Sequence, residues 1–344
     1  MAQGLTKNGK KALDAVNGQY ISKTGKLTDA PGGLTLNGKA WNMAGTLPWT
    51  ARTTPATWSY KKIISNRTIC VVTAVTASSP YNNIAISSTD GTSWTSRGGA
   101  GQATSYAFYN LNLCNGAFII SGSNGTTKLA FSSTDGKSWS AITSPGINGT
   151  KTYGCSWDGT YYTWLTNDVT NGISYSTTLN GTKTVATGTL TSNGNDIIRA
   201  LGRTIIVTSD STILTSTSTV YAAASGNTGA KYSLATGNNV VVAVGSGISY
   251  STDGITWTNC SNVGDSTWRA VTYGNGTFVA VGAYGAGSYM QATSKDGINW
   301  TLTALQPSVY LYGVTWHEPS KMFISTISGA STSAAVHTTE ASEV

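Results

Sequence analysis

The sequence predicts an all-β fold, a seven-bladed β-propeller, and three observations carry that reading: the composition, a repeated hairpin motif and the spacing of short apolar strands. Its 344 residues include 40 Gly and 11 Trp, and only 10% are charged. Ser, Thr, Gly, Asn, Val, Tyr and Trp dominate over Leu, Glu and Lys, which favours strands and turns over helices. The motif S-x-D-G-x-x-W occurs at Ser88 to Trp94, Ser133 to Trp139, Ser251 to Trp257 and Ser294 to Trp300. In each copy Gly takes a positive φ cheaply, the Asp carboxylate accepts nearby backbone N–H groups, and the Trp starts the outgoing strand. Each copy therefore reads as a stapled hairpin.

The repeating unit is clearest at residues 268–303. Trp268 to Tyr273 alternates as a strand should, Gly274-Asn275-Gly276 turns it, and Thr277 to Gly282 is a second, more apolar strand. A third strand, Tyr289 to Ser294, leads through the hairpin motif into a fourth, Ile298 to Thr303. Four antiparallel strands in about 40–45 residues match one propeller blade. Apolar second strands recur near residues 69, 118, 161, 205, 240, 278 and 322, which gives seven units; in the third, Leu179-Asn180-Gly181 resembles a worn copy of the hairpin. The seventh unit runs out at Val336 to Val344 after its third strand. Leu36-Asn37-Gly38-Lys39-Ala40-Trp41 resembles half of the hairpin motif, so residues 35–42 are expected to supply the missing outer strand and close the ring. Residues 1–33 lack the repeat and read as an N-terminal arm, with helical character over Leu5 to Val16 and a polar stretch after it. The domain expectation is an arm at 1–33 and a propeller at 34–344.

The net charge is +7, but six lysines against two aspartates in residues 1–39 account for +4 and leave +3 for the other 305 residues. A nearly neutral body argues against a nucleic-acid partner. Cys70, Cys114, Cys155 and Cys260 have no C-x-x-C spacing, and His317 and His337 are the only histidines, so neither a metal cage nor a cofactor is expected. The cysteines read as buried thiols. No apolar run has membrane length and no signal-peptide core follows Met1, so membrane insertion is not expected. Asn-x-Ser/Thr triplets such as Asn124-Gly125-Thr126 read as turns.

The S-x-D-G-x-x-W stretches resemble the Asp-box of sialidases and related β-propellers, whose usual form carries one more residue. Stretches of the kind YGNGTFVAVG and SKDGINWT are similar to repeats of bacteriophage tail and fibre proteins. The first resemblance implies hairpins that staple the fold at its rim. A sialidase-like glycoside hydrolase would need clustered arginines, a Tyr nucleophile with a Glu partner and a free acid. Glu occurs only at Glu318, Glu340 and Glu343, the arginines are scattered, and, with Asp90, Asp135, Asp253 and Asp296 committed to turns, Asp158, Asp168, Asp196, Asp210 and Asp265 remain as candidate acids. The chain is therefore read as a non-enzyme.

In such a ring the a–b and c–d turns share one face, and the longer b–c and d–a loops share the other. Tyr and Asn held on a rigid loop face suit saccharide or protein contacts. Tyr81, Asn82, Asn83, Tyr284, Tyr310 and Tyr312 are the candidate binding residues. The function expected from the phage resemblance is a virion component on the tail or particle surface. It would bind a host-surface polysaccharide or receptor and dock onto other virion proteins through residues 1–33, within a homo-oligomeric or multi-protein assembly. The alternative is a purely structural attachment or decoration protein.

Overall fold

A computed structural model describes residues 49–55, 59–75, 83–98, 106–261, 263, 267–284, 288–304, 311–327 and 336–340, with six strands in the first 48 residues. The chain divides into two compact units, Met1–Pro48 with Glu340–Val344, and Trp49–Thr339.

The first unit contains an antiparallel sheet in the order Leu27–Asp29, Gln19–Ile21, Lys10–Val16, Gly4–Lys7, Thr35–Leu36, Lys39–Ala40. The helical character expected over Leu5 to Val16 is thus replaced by two paired strands. The sequence explains why. Asn8-Gly9, Asn17-Gly18 and Asn37-Gly38 separate the pairs Lys7–Lys10, Val16–Gln19 and Leu36–Lys39, and a two-residue Asn-Gly spacer is a strong hairpin signal. A helix through Gly9 would also lose stability to glycine's backbone entropy.

The second unit is an all-β propeller. Six sheets are each built from four consecutive strands, called a to d in chain order. Sheet I holds Ser59–Ser65, Cys70–Val75, Asn83–Ser88 and Thr95–Gly98, and sheet II holds Ala107–Cys114, Ala117–Ser123, Lys128–Ser133 and Ser140–Ala141. Sheet III holds Thr152–Trp157, Tyr162–Thr166, Ile173–Ser176 and Thr184–Val185; sheet IV holds Gly194–Ala200, Arg203–Thr208, Ile213–Ser216 and Ala222–Ala223. Sheet V holds Lys231–Gly237, Val240–Gly245, Gly247–Ser251 and Thr258–Asn259; sheet VI holds Thr267–Gly274, Thr277–Tyr284, Ser288–Ser294 and Thr301–Ala304. A further sheet is composite, with Leu311–His317, Met322–Ile327, Val336–Glu340 and, from the other end of the unit, Thr50–Arg52.

The composite sheet corrects the expected closure. Val336, His337 and Thr338 pair with Arg52, Ala51 and Thr50, whereas Thr35–Leu36 and Lys39–Ala40 belong to the first unit. Within the half-motif, Thr35–Leu36 and Lys39–Ala40 pair with each other, and Thr35 pairs with Thr6, so these strands are engaged in their own sheet. The compact units accordingly part at Trp49 rather than at residue 34. Trp49 is buried and its Nε1 donates to Gln291 Oε1 of sheet VI at 2.8 Å, which ties the start of this unit to the ring.

Burial follows position in each sheet. Strand b carries the core: Ile119, Ile205, Ile206, Val241 and Val279 are wholly buried. The a–b turns of sheets II, IV, V and VI are two-residue and left-handed, as at Asn115 (φ 48°) and Gly116 (φ 78°), the conformation that such hairpins require. The first strands of successive sheets pack on one another, and that of the composite sheet packs on that of sheet I. Each inner strand is a sheet edge with backbone groups to satisfy. Side chains of its neighbours do so. Asn112 Oδ1 accepts from Cys155 N (3.1 Å), Asp196 Oδ2 from Leu234 N (2.9 Å), Ser233 Oγ from Val271 N (3.4 Å) and Thr315 Oγ1 from Ser65 N (3.2 Å).

Candidate functional site

Every inner strand breaks register near its start. The irregularities fall between Phe108 and Asn110, Thr152 and Gly154, Gly194 and Asp196, Lys231 and Ser233, Trp268 and Ala270, and Leu311 and Gly313. One residue is left out of each ladder: Tyr109, Tyr153, Asn195, Tyr232, Arg269 and Tyr312. In sheet I the break between Tyr60 and Ile63 leaves out two residues, Lys61 and Lys62. A bulge frees a side chain from the alternation of the strand and re-aims it.

All eight side chains are half-buried and line one cavity of about 170 Å³, beside Phe108. The collar sits where the inner strands begin, on the face of the d–a loops, next to a central channel of about 510 Å³ lined by the same strands. Its aromatic rings are held in place by one another. Tyr109 and Tyr153 lie 5.0 Å apart at 52°, and Lys151 Nζ stands 5.8 Å from the Tyr109 ring. The Arg269 guanidinium lies 5.2 Å from the Tyr232 ring centroid. Burial, with Tyr109 alongside, pushes the Tyr153 phenol above its ordinary pKa and keeps it neutral. Aromatic faces, three cations and an amide, with no Asp or Glu in the lining, can stack on a ring and hold an anion.

Of the binding residues expected from sequence, Tyr312 alone is placed in this collar. Tyr81, Asn82 and Tyr310 lie outside the described residues. Asn83 opens strand c of sheet I opposite Gly98, and Tyr284 ends strand b of sheet VI opposite Ser288; their side chains lie outside the described residues. Sequence reasoning missed Tyr109, Tyr153 and Tyr232, although a signal exists. Tyr109-Asn110-Leu111, Tyr153-Gly154-Cys155, Tyr232-Ser233-Leu234 and Tyr312-Gly313-Val314 repeat the pattern Tyr, small or polar, apolar at equivalent places.

The carboxylates considered for acid–base work are absorbed in structure. Asp158 Oδ1 accepts from the backbone of Thr160 and Tyr161, and Asp168 Oδ1 from Thr170 and Asn171. Asp210 Oδ1 accepts from Thr208 Oγ1 and Thr212 N. Asp196 is buried and receives Asn110 Nδ2 and two backbone N–H groups. Asp265 lies outside the described residues. One nucleophile-and-base pair does form, Ser65 Oγ to His317 Nδ1 at 2.6 Å. The ring of His317 is wholly buried, and its Nε2 faces the Thr89 carbonyl at 3.1 Å, so its third partner is a carbonyl of the sheet I hairpin rather than a carboxylate. The pair joins the composite sheet to sheet I. Among the described residues no group of three His, Cys, Asp or Glu side chains could hold a metal.

No family model and no curated protein matches the chain. Solved propeller structures do. The RRP9 WD40 repeats are 7% identical with a TM-score of 0.58, covering 85% of this chain and 99% of that one. The β-propeller domain of the Trilobed protease from Pyrococcus furiosus, described as having an open velcro topology, is 8% identical with a TM-score of 0.55, covering 83% and 96%. A chain of the Mitotic Checkpoint Complex is 9% identical with a TM-score of 0.61, covering 88% and 98%. At such identities the likeness is one of fold, and the fold it establishes is the β-propeller.

Proposed function

We propose that the chain is a non-enzymatic component of a phage particle, a seven-bladed propeller that binds a host-surface glycan or protein at its collar face. The composite sheet would be the seventh blade, a reading supported by the succession of inner strands around the channel and by the hydrogen bonds from Ser65 to Thr315 and His317. The observation that carries the binding reading is the collar itself. Eight side chains leave their ladders at the same level of the ring and converge on one cavity. Stability does not require Tyr, Lys or Arg there, since a bulged residue contributes little to the core. A binding role supplies a reason. The first unit, with its own sheet and its lysines, would attach the particle-bound end, and the hairpins of the S-x-D-G-x-x-W type would serve as rim staples.

The test is direct. Fluorescently labelled protein should bind cells of a susceptible bacterial host and block infection by the particle. A variant with Tyr109→Ala, Tyr153→Ala and Tyr232→Ala should keep its melting point and lose cell binding. Wild-type protein that labels no susceptible cells would leave the purely structural attachment role as the better reading.

A further inference from the structure

The order of the blades distributes the collar chemistry unevenly, and this points to the class of ligand. Going around the ring from sheet VI, the bulge residues are Arg269, then Tyr312 of the composite sheet, then Lys61 and Lys62 of sheet I. The next two are Tyr109 and Tyr153 of sheets II and III. One sector is therefore cationic and the next aromatic. Within the cationic sector, the junction of the composite sheet with sheet I is fixed, because Thr326 Oγ1 donates to the Lys61 carbonyl at 2.7 Å. The aromatic sector is fixed by the Tyr109–Tyr153 contact.

We infer that the collar takes one anionic sugar unit, with its carboxylate or phosphate toward Lys61, Lys62 and Arg269 and its ring against Tyr109 and Tyr153. This rests on the binding reading proposed above and names the ligand class for that site. Two of the cations are neighbours on sheet I and the third stands on sheet VI, so an anion among them relieves their mutual repulsion as well as forming charge-assisted hydrogen bonds. The lining offers an anion no carboxylate to repel it. A neutral sugar would gain the stacking surface and ordinary hydrogen bonds but no charge-assisted ones. The bulges also make the site exchangeable. Each side chain lies outside the ladder, so its replacement changes recognition with little cost to the fold.

Calorimetric titration of the full chain distinguishes the possibilities, with three probes: an oligogalacturonate for the carboxylate, a mannose-phosphate oligosaccharide for the phosphate, and maltohexaose as the neutral control. At least one anionic probe should bind about tenfold more tightly than maltohexaose, and its binding should weaken on raising the salt from about 0.05 to about 0.5 M. The double variant Lys62→Gln/Arg269→Gln should lose about tenfold for that probe, and Tyr153→Ala should weaken both anionic and neutral probes. A melting curve matching that of the unaltered protein shows that each variant is folded. Maltohexaose binding as well as both anionic probes, or an anionic probe indifferent to the double variant, would overturn the inference. Labelling of host cells undiminished by excess anionic probe would overturn it too, while leaving the binding reading intact. Absence of both cell labelling and glycan binding would overturn the two together.

Discussion

At the residue scale, the four hairpin aspartates show how a local pattern fixes a local structure. In the copy at Ser251, Asp253 Oδ1 accepts from Ile255 N and Thr256 N at 2.8 Å each and from Ser251 Oγ at 3.0 Å, and Gly254 N donates to Ser251 Oγ. The backbone N–H groups of Thr256 and Ile255 hold the Asp253 carboxyl down to about 2, and those of Ser138 and Lys137 do the same for Asp135. A depressed carboxyl stabilises the fold above its unfolded pKa and loses that contribution as the pH falls through the folded one. The melting temperature should therefore decline between about pH 4 and pH 2, and Asp253→Ala should flatten part of that decline while costing about 1–2 kcal/mol at neutral pH. Lys231 gives the same slope at the other end of the pH scale, from a shift that costs stability rather than adding it. Its side chain is buried, its Nζ donates to the Ser246 carbonyl at 3.1 Å, and burial lowers its pKa to about 8. Between pH 8 and the ordinary lysine range the unfolded chain binds the extra proton, so this residue makes stability rise with pH across that window. Denaturant melts of the wild type and Lys231→Met should show that rise in the former and lose it in the latter. Asp253 was legible in the sequence because its partners are two and three residues away. Lys231 was not, since nothing near it in the chain foretells that its ammonium would be enclosed.

At the scale of the element, the hairpins do more than turn the chain. A side chain on the Gly of each would press on strand b of the preceding sheet: Gly136 on Ile69 and Val71, Gly254 on Ile205, Gly297 on Val240 and Val242, and Gly91 on Ile324 of the composite sheet. Each of these glycines also has φ near +70°, so Ala there combines backbone strain with a close approach. Trp94, Trp139, Trp257 and Trp300 are buried beside them. Trp139→Ala or Trp300→Ala should lower stability by about 3–5 kcal/mol, as loss of a buried aromatic does, and Gly297→Ala by about 1–3 kcal/mol, both read from denaturant midpoints. A midpoint unmoved by either Trp change would refute the rim-staple role. The second strands and hairpins were readable because burial and turn chemistry each leave a short-range pattern. The bulges were not, because a bulge is a property of pairing between strands: the recurring Tyr, small or polar, apolar triplet marks equivalent places without showing that its Tyr leaves the ladder, and Arg269 lacks even that mark. Most of the candidate site thus lay hidden in an element whose existence was plain.

At the scale of the molecule, closure decides whether the ring has an open edge, and it was only half legible. The sequence shows a last unit one strand short, but two segments ahead of the first full sheet could fill the gap, and Thr50-Ala51-Arg52 carries no motif and almost no apolar alternation. The half-motif at residues 35–42 is the stronger local pattern of the two. What selects Thr50–Arg52 is its pairing with Val336, His337 and Thr338, together with Trp49 anchored on Gln291. Contacts separated by more than 240 residues leave no local trace. This sets up a sharp truncation experiment. Removing residues 1–48 deletes the first unit's own sheet and spares every strand of the composite sheet, so the remainder should stay soluble and melt cooperatively. Removing residues 1–55 takes away Thr50–Arg52 and Trp49, leaving Val336–Glu340 as an uncovered edge with unpaired backbone groups and a buried Gln291 without its indole partner. An exposed edge pairs readily with another chain. The longer truncation should therefore aggregate or elute as higher oligomers in size-exclusion chromatography, at a concentration where the shorter one runs as a single species. Equal behaviour of the two would show that Thr50–Arg52 does not close the ring, and the outer edge of the composite sheet would then have to be protected by another part of the chain.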